Sequence, residues 1–163
     1  MGKLTVNDPR LIHALDRICK LLSTLNYDTL SEKVLKRVSV SWNQPHQVSL
    51  AVNGQKVEAA GSDYDKVIHL HGCCHDAESV VLGSSSYRVV GGHAHAQAVQ
   101  QLFAVGYTVM FVGCGETLAD PNFSNFVRVV TGILGETTKA HYVLCLEQDV
   151  ESGRRKRSRG CIR

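Results

Sequence analysis

Val67-Ile68-His69-Leu70-His71-Gly72 is a short apolar run interrupted by two histidines and closed by a glycine. Such a run reads as a central strand of a sheet, and the residues at its exit are where an open α/β fold places its chemistry. His69 and His71 stand two apart and share one face of a regular strand, so a pair of satisfied core histidines explains them as readily as a reactive pair. Two other stretches add weight to the reactive reading. Asn26-Tyr27-Asp28 follows another apolar run, and a loop from Gly113 to Phe123 follows a third.

Upstream of this strand, Asp8-Pro9 reads as a cap with proline at the first helical position, and Leu11, Ile12, Leu15, Ile18 and Cys19 recur at helical spacing. Leu21 to Leu25 reads as a buried strand. Asp28 or Thr29 then caps a second helix, with Leu30, Val34 and Leu35 on its apolar face and Glu32, Lys33, Lys36 and Arg37 on its polar one. From Val38 to Ala59 the apolar residues alternate, and Asn53-Gly54 is a hairpin pair, so the expectation is a small β insertion around 38–60 with Trp42 near its start.

Downstream, Ser79 to Gly83 reads as extended and Ser84 to Tyr87 as a turn or helix start. His93 and His95 precede a helix with Val99, Leu102 and Phe103 inward; with no third ligand at helical spacing they read as loop histidines rather than a metal site. Tyr107 to Val112 is a continuous β-rich run that ends in Gly113-Cys114-Gly115-Glu116. Glycines at a strand-to-helix turn let backbone N–H groups approach a phosphate or ribose, although a tight turn alone would use them too. Asp120-Pro121 opens a last helix and Tyr142 to Leu146 a last strand. The order implies an α/β, Rossmann-like, mostly parallel sheet flanked by helices over residues 8–147.

Composition narrows the classes. A chain of 163 residues with 44% apolar and 20% charged residues is globular and has the length of one domain. The formal charge of +3 comes from the end of the chain, where residues 151–163 hold six Arg or Lys against one acid. Residues 148–163 therefore read as a basic disordered tail on a slightly acidic body, and nucleic-acid binding is only weakly suggested, since no aromatic interleaving accompanies the basic run. Six cysteines without a CxxC pair, and a start without a signal-peptide core, argue for reduced thiols in a cytoplasmic setting and against a zinc knuckle. No window is apolar enough to span a membrane, and neither a myristoylation motif nor a prenylation box is complete.

Taken in order, the segments resemble the sirtuin-like domains of bacterial defence proteins and related NAD-cleaving proteins. Leu22 to Glu32, with Asn26-Tyr27-Asp28 at its centre, is similar to that family's Thr-Asn-Tyr-Asp segment, with Leu25 in place of the Thr and Thr24 one position earlier. Ile68-His69-Leu70-His71-Gly72 is similar to its Leu-His-Gly segment. Ser79 to Tyr87 resembles its extended segment and following tyrosine, and Phe111 to Phe123 its late glycine and Asp-Pro-Asn loop.

The resemblance implies hydrolysis of NAD, as substrate, to nicotinamide and ADP-ribose, with Asn26 and His71 as the catalytic pair and no metal. It makes Asp28, Gly113, Gly115, Glu116 and Asp120 the nucleotide-binding candidates. Histidine can take a proton near neutral pH, asparagine can orient a water without adding charge, and a carboxylate can accept from the carboxamide. The family's domain begins with a glycine-rich strand-loop-helix unit, and nothing before Asp8 reads as one. The expectation is thus a sheet truncated at its N-terminal side, with another chain or domain supplying the strand. The alternative is a catalytically inactive nucleotide-sensing or protein-interaction module. The four-cysteine zinc module of protein deacylases has no counterpart here, which favours free NAD over a peptide substrate.

Overall fold

The computed structural model describes residues 4–19, 21–53, 66–114 and 141–144. Its backbone divides into two compact units, Met1–Val89 and Val90–Arg163.

In the first unit, helix α1 (Arg10–Ile18) leads to strand β1 (Leu22–Thr24), helix α2 (Leu30–Leu35), strand β2 (Val38–Ser41), helix α3 (Pro45–Asn53) and strand β3 (Lys66–His69). The strands form one parallel sheet in the order β1-β3-β2. β3 is central, and all four of its residues are buried, the polar Lys66 and His69 at its ends as well as Val67 and Ile68 between them. α2 and α3 pack against β3, and α1 packs on α2. The Arg37 guanidinium, just past α2, pairs with Asp16 of α1. Asp8 accepts the Arg10 N–H at 3.0 Å at the start of α1, and Pro9 stands at the cap rather than one step inside.

The expected β insertion is corrected at two points. Val38–Ser41 is a strand, but it belongs to the main sheet, with Val40 opposite Ile68 and Ser41 opposite His69. Val48 to Val52 is helical. The alternation of Val48, Leu50 and Val52 misled, because the residues buried are Val48, Ala51 and Val52, at spacings of three and four. Pro45 at the first helical position was the usable signal. The remainder of the expected insertion, 54–60, lies outside the described residues.

After β3 come a 3-10 turn (Ala77–Ser79) and helix α4 (Gly83–Gly92), across which the division between units falls. In the second unit, helix α5 (Ala94–Gly106) buries Ala96, Val99 and Phe103, whereas Leu102, expected inward, is exposed. Strands β4 (Met110–Val112) and β5 (Tyr142–Leu144) pair in parallel, Phe111 opposite Val143. The Val109 N–H donates to His141 Nδ1 at 3.2 Å, so that buried ring carries its proton on the other nitrogen. The expected last helix from Asp120-Pro121 and the basic tail lie outside the described residues.

Ile68 is fully buried at the centre of the first sheet. Ile68→Ala is expected to lower unfolding free energy by about 2–5 kcal/mol through lost transfer energy and a residual cavity, as read from urea denaturation midpoints.

Candidate functional site

The parallel register places Thr24 of β1 opposite His69 of β3. The Leu70 N–H donates to the Thr24 carbonyl at 3.0 Å and carries the ladder one step further. Asn26 and His71 each lie two residues beyond that matched pair. Both residues therefore follow strands that exit at the same end of the sheet, the end at which parallel α/β folds bind ligands.

Hydrogen bonds join the two exit loops. The Tyr27 hydroxyl donates to the Val81 carbonyl at 2.7 Å, and the Tyr27 carbonyl accepts the Cys74 N–H at 2.8 Å. Val81 in turn donates its N–H to the His71 carbonyl at 2.9 Å. Tyr27 thus ties the Asn26 loop to the loop that carries His71. The His71 ring is buried and meets the Tyr87 ring edge-on, 5.8 Å between centroids. Asn26 is exposed, its backbone N–H taken by Thr24 Oγ1 at 3.0 Å.

The next turn is fixed by close packing. Gly72 has φ +88°, and a Cβ built on it would lie 2.1 Å from the Ser79 carbonyl oxygen. Buried Ser79 accepts the Cys73 N–H at 3.0 Å and donates to the Asp76 carbonyl at 2.7 Å. Its own carbonyl accepts the Trp42 indole N–H at 2.7 Å, while the Trp42 backbone N–H donates to the His69 carbonyl. Trp42, expected in an insertion, instead anchors the loop around His71.

His69 and Glu32 are the residues that sequence reasoning passed over. Glu32 is buried, not on the solvated face of α2, and its Oε1 lies 2.5 Å from His69 Nε2. His69 is fully buried, with its Nδ1 3.0 Å from the Asn26 carbonyl oxygen. Burial by itself pushes the His69 imidazole down. The hydrogen bond and charge of Glu32 and the backbone hydrogen bonds at Asn26 and Gly72 outweigh it, and the net displacement is upward. The signal available was a carboxylate four residues after Asp28 on a short helix and an unassigned histidine on the central strand.

Asp28 has a structural duty in addition to any contact with a ligand. Its Oδ1 accepts the Leu30 N–H at 3.0 Å, satisfying a backbone donor at the first residue of α2, one position ahead of the Thr29 cap. Cys74, close by, is exposed but has its thiol pushed up by partial desolvation, then by Cys73 and Asp28, which makes it a poor nucleophile at neutral pH. In the second unit, Gly113 has φ +67°, and among the described residues nothing stands within 4 Å of where a Cβ would be, as suits a close backbone approach by a ligand. Gly115, Glu116 and Asp120 lie outside the described residues.

The rings of His93 and His95 meet edge-on at 6.4 Å, and burial followed by the His93 charge pushes His95 down. Among the described residues no three His, Cys, Asp or Glu side chains gather as a metal site would require. Among them also, no helix is long and apolar enough to cross a membrane.

Residues 20–161 match a family model described as SIR2-like domain. The match covers both strand exits and the Gly113 turn.

Two outcomes are expected from this geometry. Gly72→Ala should cost about 1–3 kcal/mol from the left-handed backbone alone, more with the Ser79 clash, and should shift the denaturation midpoint accordingly. Because His69 is raised in the folded state, its contribution to stability is fully present below the unfolded value of 6.5 and is lost as pH rises through the folded one. Urea midpoints should therefore fall on the alkaline side, and that fall should be absent from His69→Phe, whatever its overall stability.

Proposed function

This chain belongs to the SIR2-like domain family, and on that premise we propose that it hydrolyses NAD to nicotinamide and ADP-ribose at the paired exits of β1 and β3. The observation that supports the reading is the Thr24 to His69 register, from which the segments carrying Asn26 and His71 leave the same end of the sheet.

The chemistry follows from the two side chains. Cleavage breaks the bond between the nicotinamide nitrogen and the ribose C1′, neutral nicotinamide leaves with the bonding pair, and positive charge develops on the sugar. Water then adds to C1′ and gives up one proton. His71, buried against Tyr87, is the base that takes that proton. The exposed Asn26 amide orients the water without adding charge. Asp28 keeps one carboxylate oxygen on the Leu30 N–H, and its other oxygen is assigned to the nicotinamide end. Gly113, with its unobstructed backbone, is assigned to the nucleotide, together with Gly115, Glu116 and Asp120.

The same proposal takes NAD depletion in a defence setting as the cellular role, on the strength of the resemblance to bacterial defence proteins. It places the protein in the cytoplasm, which suits the free thiols of Cys19, Cys73, Cys74 and Cys114.

A second reading is a nucleotide-sensing module without turnover. What favours it is the position of β1 at an edge of the described sheet, paired there with β3 alone. A further strand from another chain or segment would pair along that edge and complete the nucleotide cradle.

Nicotinamide release from NAD, followed by chromatography, separates the two. Under the hydrolase reading His71→Ala and Asn26→Ala each lower the rate by about 10²–10⁴-fold, the usual worth of a positioned acid-base group. Full activity in His71→Ala overturns it. Tight NAD binding by the wild-type protein without release establishes the sensing module instead.

A further inference from the structure

The two ring nitrogens of His69 both face oxygen acceptors. Nδ1 is 3.0 Å from the Asn26 carbonyl, which can only accept, so Nδ1 carries a hydrogen and donates. Nε2 is 2.5 Å from Glu32 Oε1. An imidazole already protonated on Nδ1 offers Glu32 a lone pair when neutral, and a carboxylate offers only lone pairs in return. The contact therefore holds one further proton, shared between Nε2 and Oε1.

The pair is shielded from bulk solvent, with His69 fully buried and Glu32 6% exposed. The charged groups on the adjoining elements are Lys66, buried at the start of β3, and Arg37 past the end of α2, which pairs with Asp16. β1 and β2 place Thr24 and Ser41 beside His69, α3 packs with Val48, Ala51 and Val52, and Asp28 is turned to the Leu30 N–H. Glu32 Oε2 has no hydrogen-bond partner among the described residues. Loss of the shared proton would leave a lone pair against a buried carboxylate.

We propose that His69 and Glu32 form a buried proton-holding pair that positions the Asn26 segment of the site, so that the site is assembled while the pair keeps its proton and loosens when the proton leaves. His69 is a positioning residue: it holds the Asn26 carbonyl, and through it the peptide that sets the direction of the Asn26 side chain. The upward displacement of His69 gives the direction, with the assembled form favoured below the folded value and lost as pH rises through it. In its activity readout the inference rests on the hydrolase reading above.

Glu32→Gln is the discriminating variant. The introduced amide can donate to Nε2 while Nδ1 still donates to the Asn26 carbonyl, so neutral His69 is satisfied on both sides with no shared proton. The experiment measures kcat and KM for nicotinamide release against pH in wild type, Glu32→Gln and Glu32→Ala. It is paired with amide chemical shifts of Asn26 and Tyr27 over the same range by NMR.

Wild-type kcat is expected to fall on the alkaline side with KM nearly constant, and Glu32→Gln to remove that fall. Glu32→Ala should lower kcat by about 10–100-fold even at neutral pH, the scale of a displaced catalytic group. The Asn26 and Tyr27 amides should move with pH in the wild type and stay still in Glu32→Gln. The same alkaline fall in wild type and Glu32→Gln overturns the proposal, as do wild-type amides that do not move. If wild type releases no nicotinamide at any pH, the hydrolase reading fails and the wild-type amide shifts alone decide the role of the pair.

Discussion

Two parallel strands that keep register to their last residue can bring distant parts of a chain to one line, and that constraint governs the first unit of this protein. Thr24 and His69 are 45 positions apart in sequence, yet they are opposed in the ladder. Everything proposed for the site hangs on what each strand does within two residues of that pairing. A slip of one residue would turn the side chains that face the helices toward the other side of the sheet. The helices guard against it: α2 contributes Glu32 to the ring of His69, and α3 buries Val48 and Val52. Removing one member of a buried charged pair costs about 3–5 kcal/mol, so the Glu32 to His69 contact penalises misregister on the same scale as a large buried apolar side chain does.

The parts of this arrangement that were legible in the sequence are those with a local signature. β3 announced itself by a short apolar run around Val67, Ile68 and Leu70, and the positions of Asn26 and His71 past strand ends followed from the ends of two such runs. The resemblance to sirtuin-like domains came from short segments in order, and the family match over residues 20–161 bears it out. α3 was misread because Val48, Leu50 and Val52 satisfy a period of two as well as a helical one, and only tertiary packing selects between them. Glu32 was placed with its charged neighbours Lys33 and Lys36 because helical spacing says which residues share a face, not that a histidine from a strand will meet one of them. Trp42 and Ser79 were opaque for the same reason, since their bond spans 37 residues and has no motif.

The loop between β3 and α4 shows how a candidate site residue is held on a segment whose regular structure is a single 3-10 turn. Gly72 turns the chain where no side chain would fit, Ser79 satisfies a backbone N–H and a carbonyl from its single hydroxyl, and Tyr27 reaches across from the other exit. Each bond is local in space and most are to backbone, so the loop is defined by its polar groups being satisfied rather than by a large apolar core of its own. A histidine carried on such a loop keeps a defined orientation without being built into a strand.

Trp42 gives this loop a property of another kind. It is the chain's one tryptophan, it is buried, and its indole N–H ends on the Ser79 carbonyl that also crowds Gly72. The protein's long-wavelength ultraviolet emission therefore originates from a single chromophore bonded to the loop around His71. Movement of that loop stretches or breaks the indole's hydrogen bond and changes the polarity around the ring. The molecule carries its own optical gauge of the site, readable in real time and without a label.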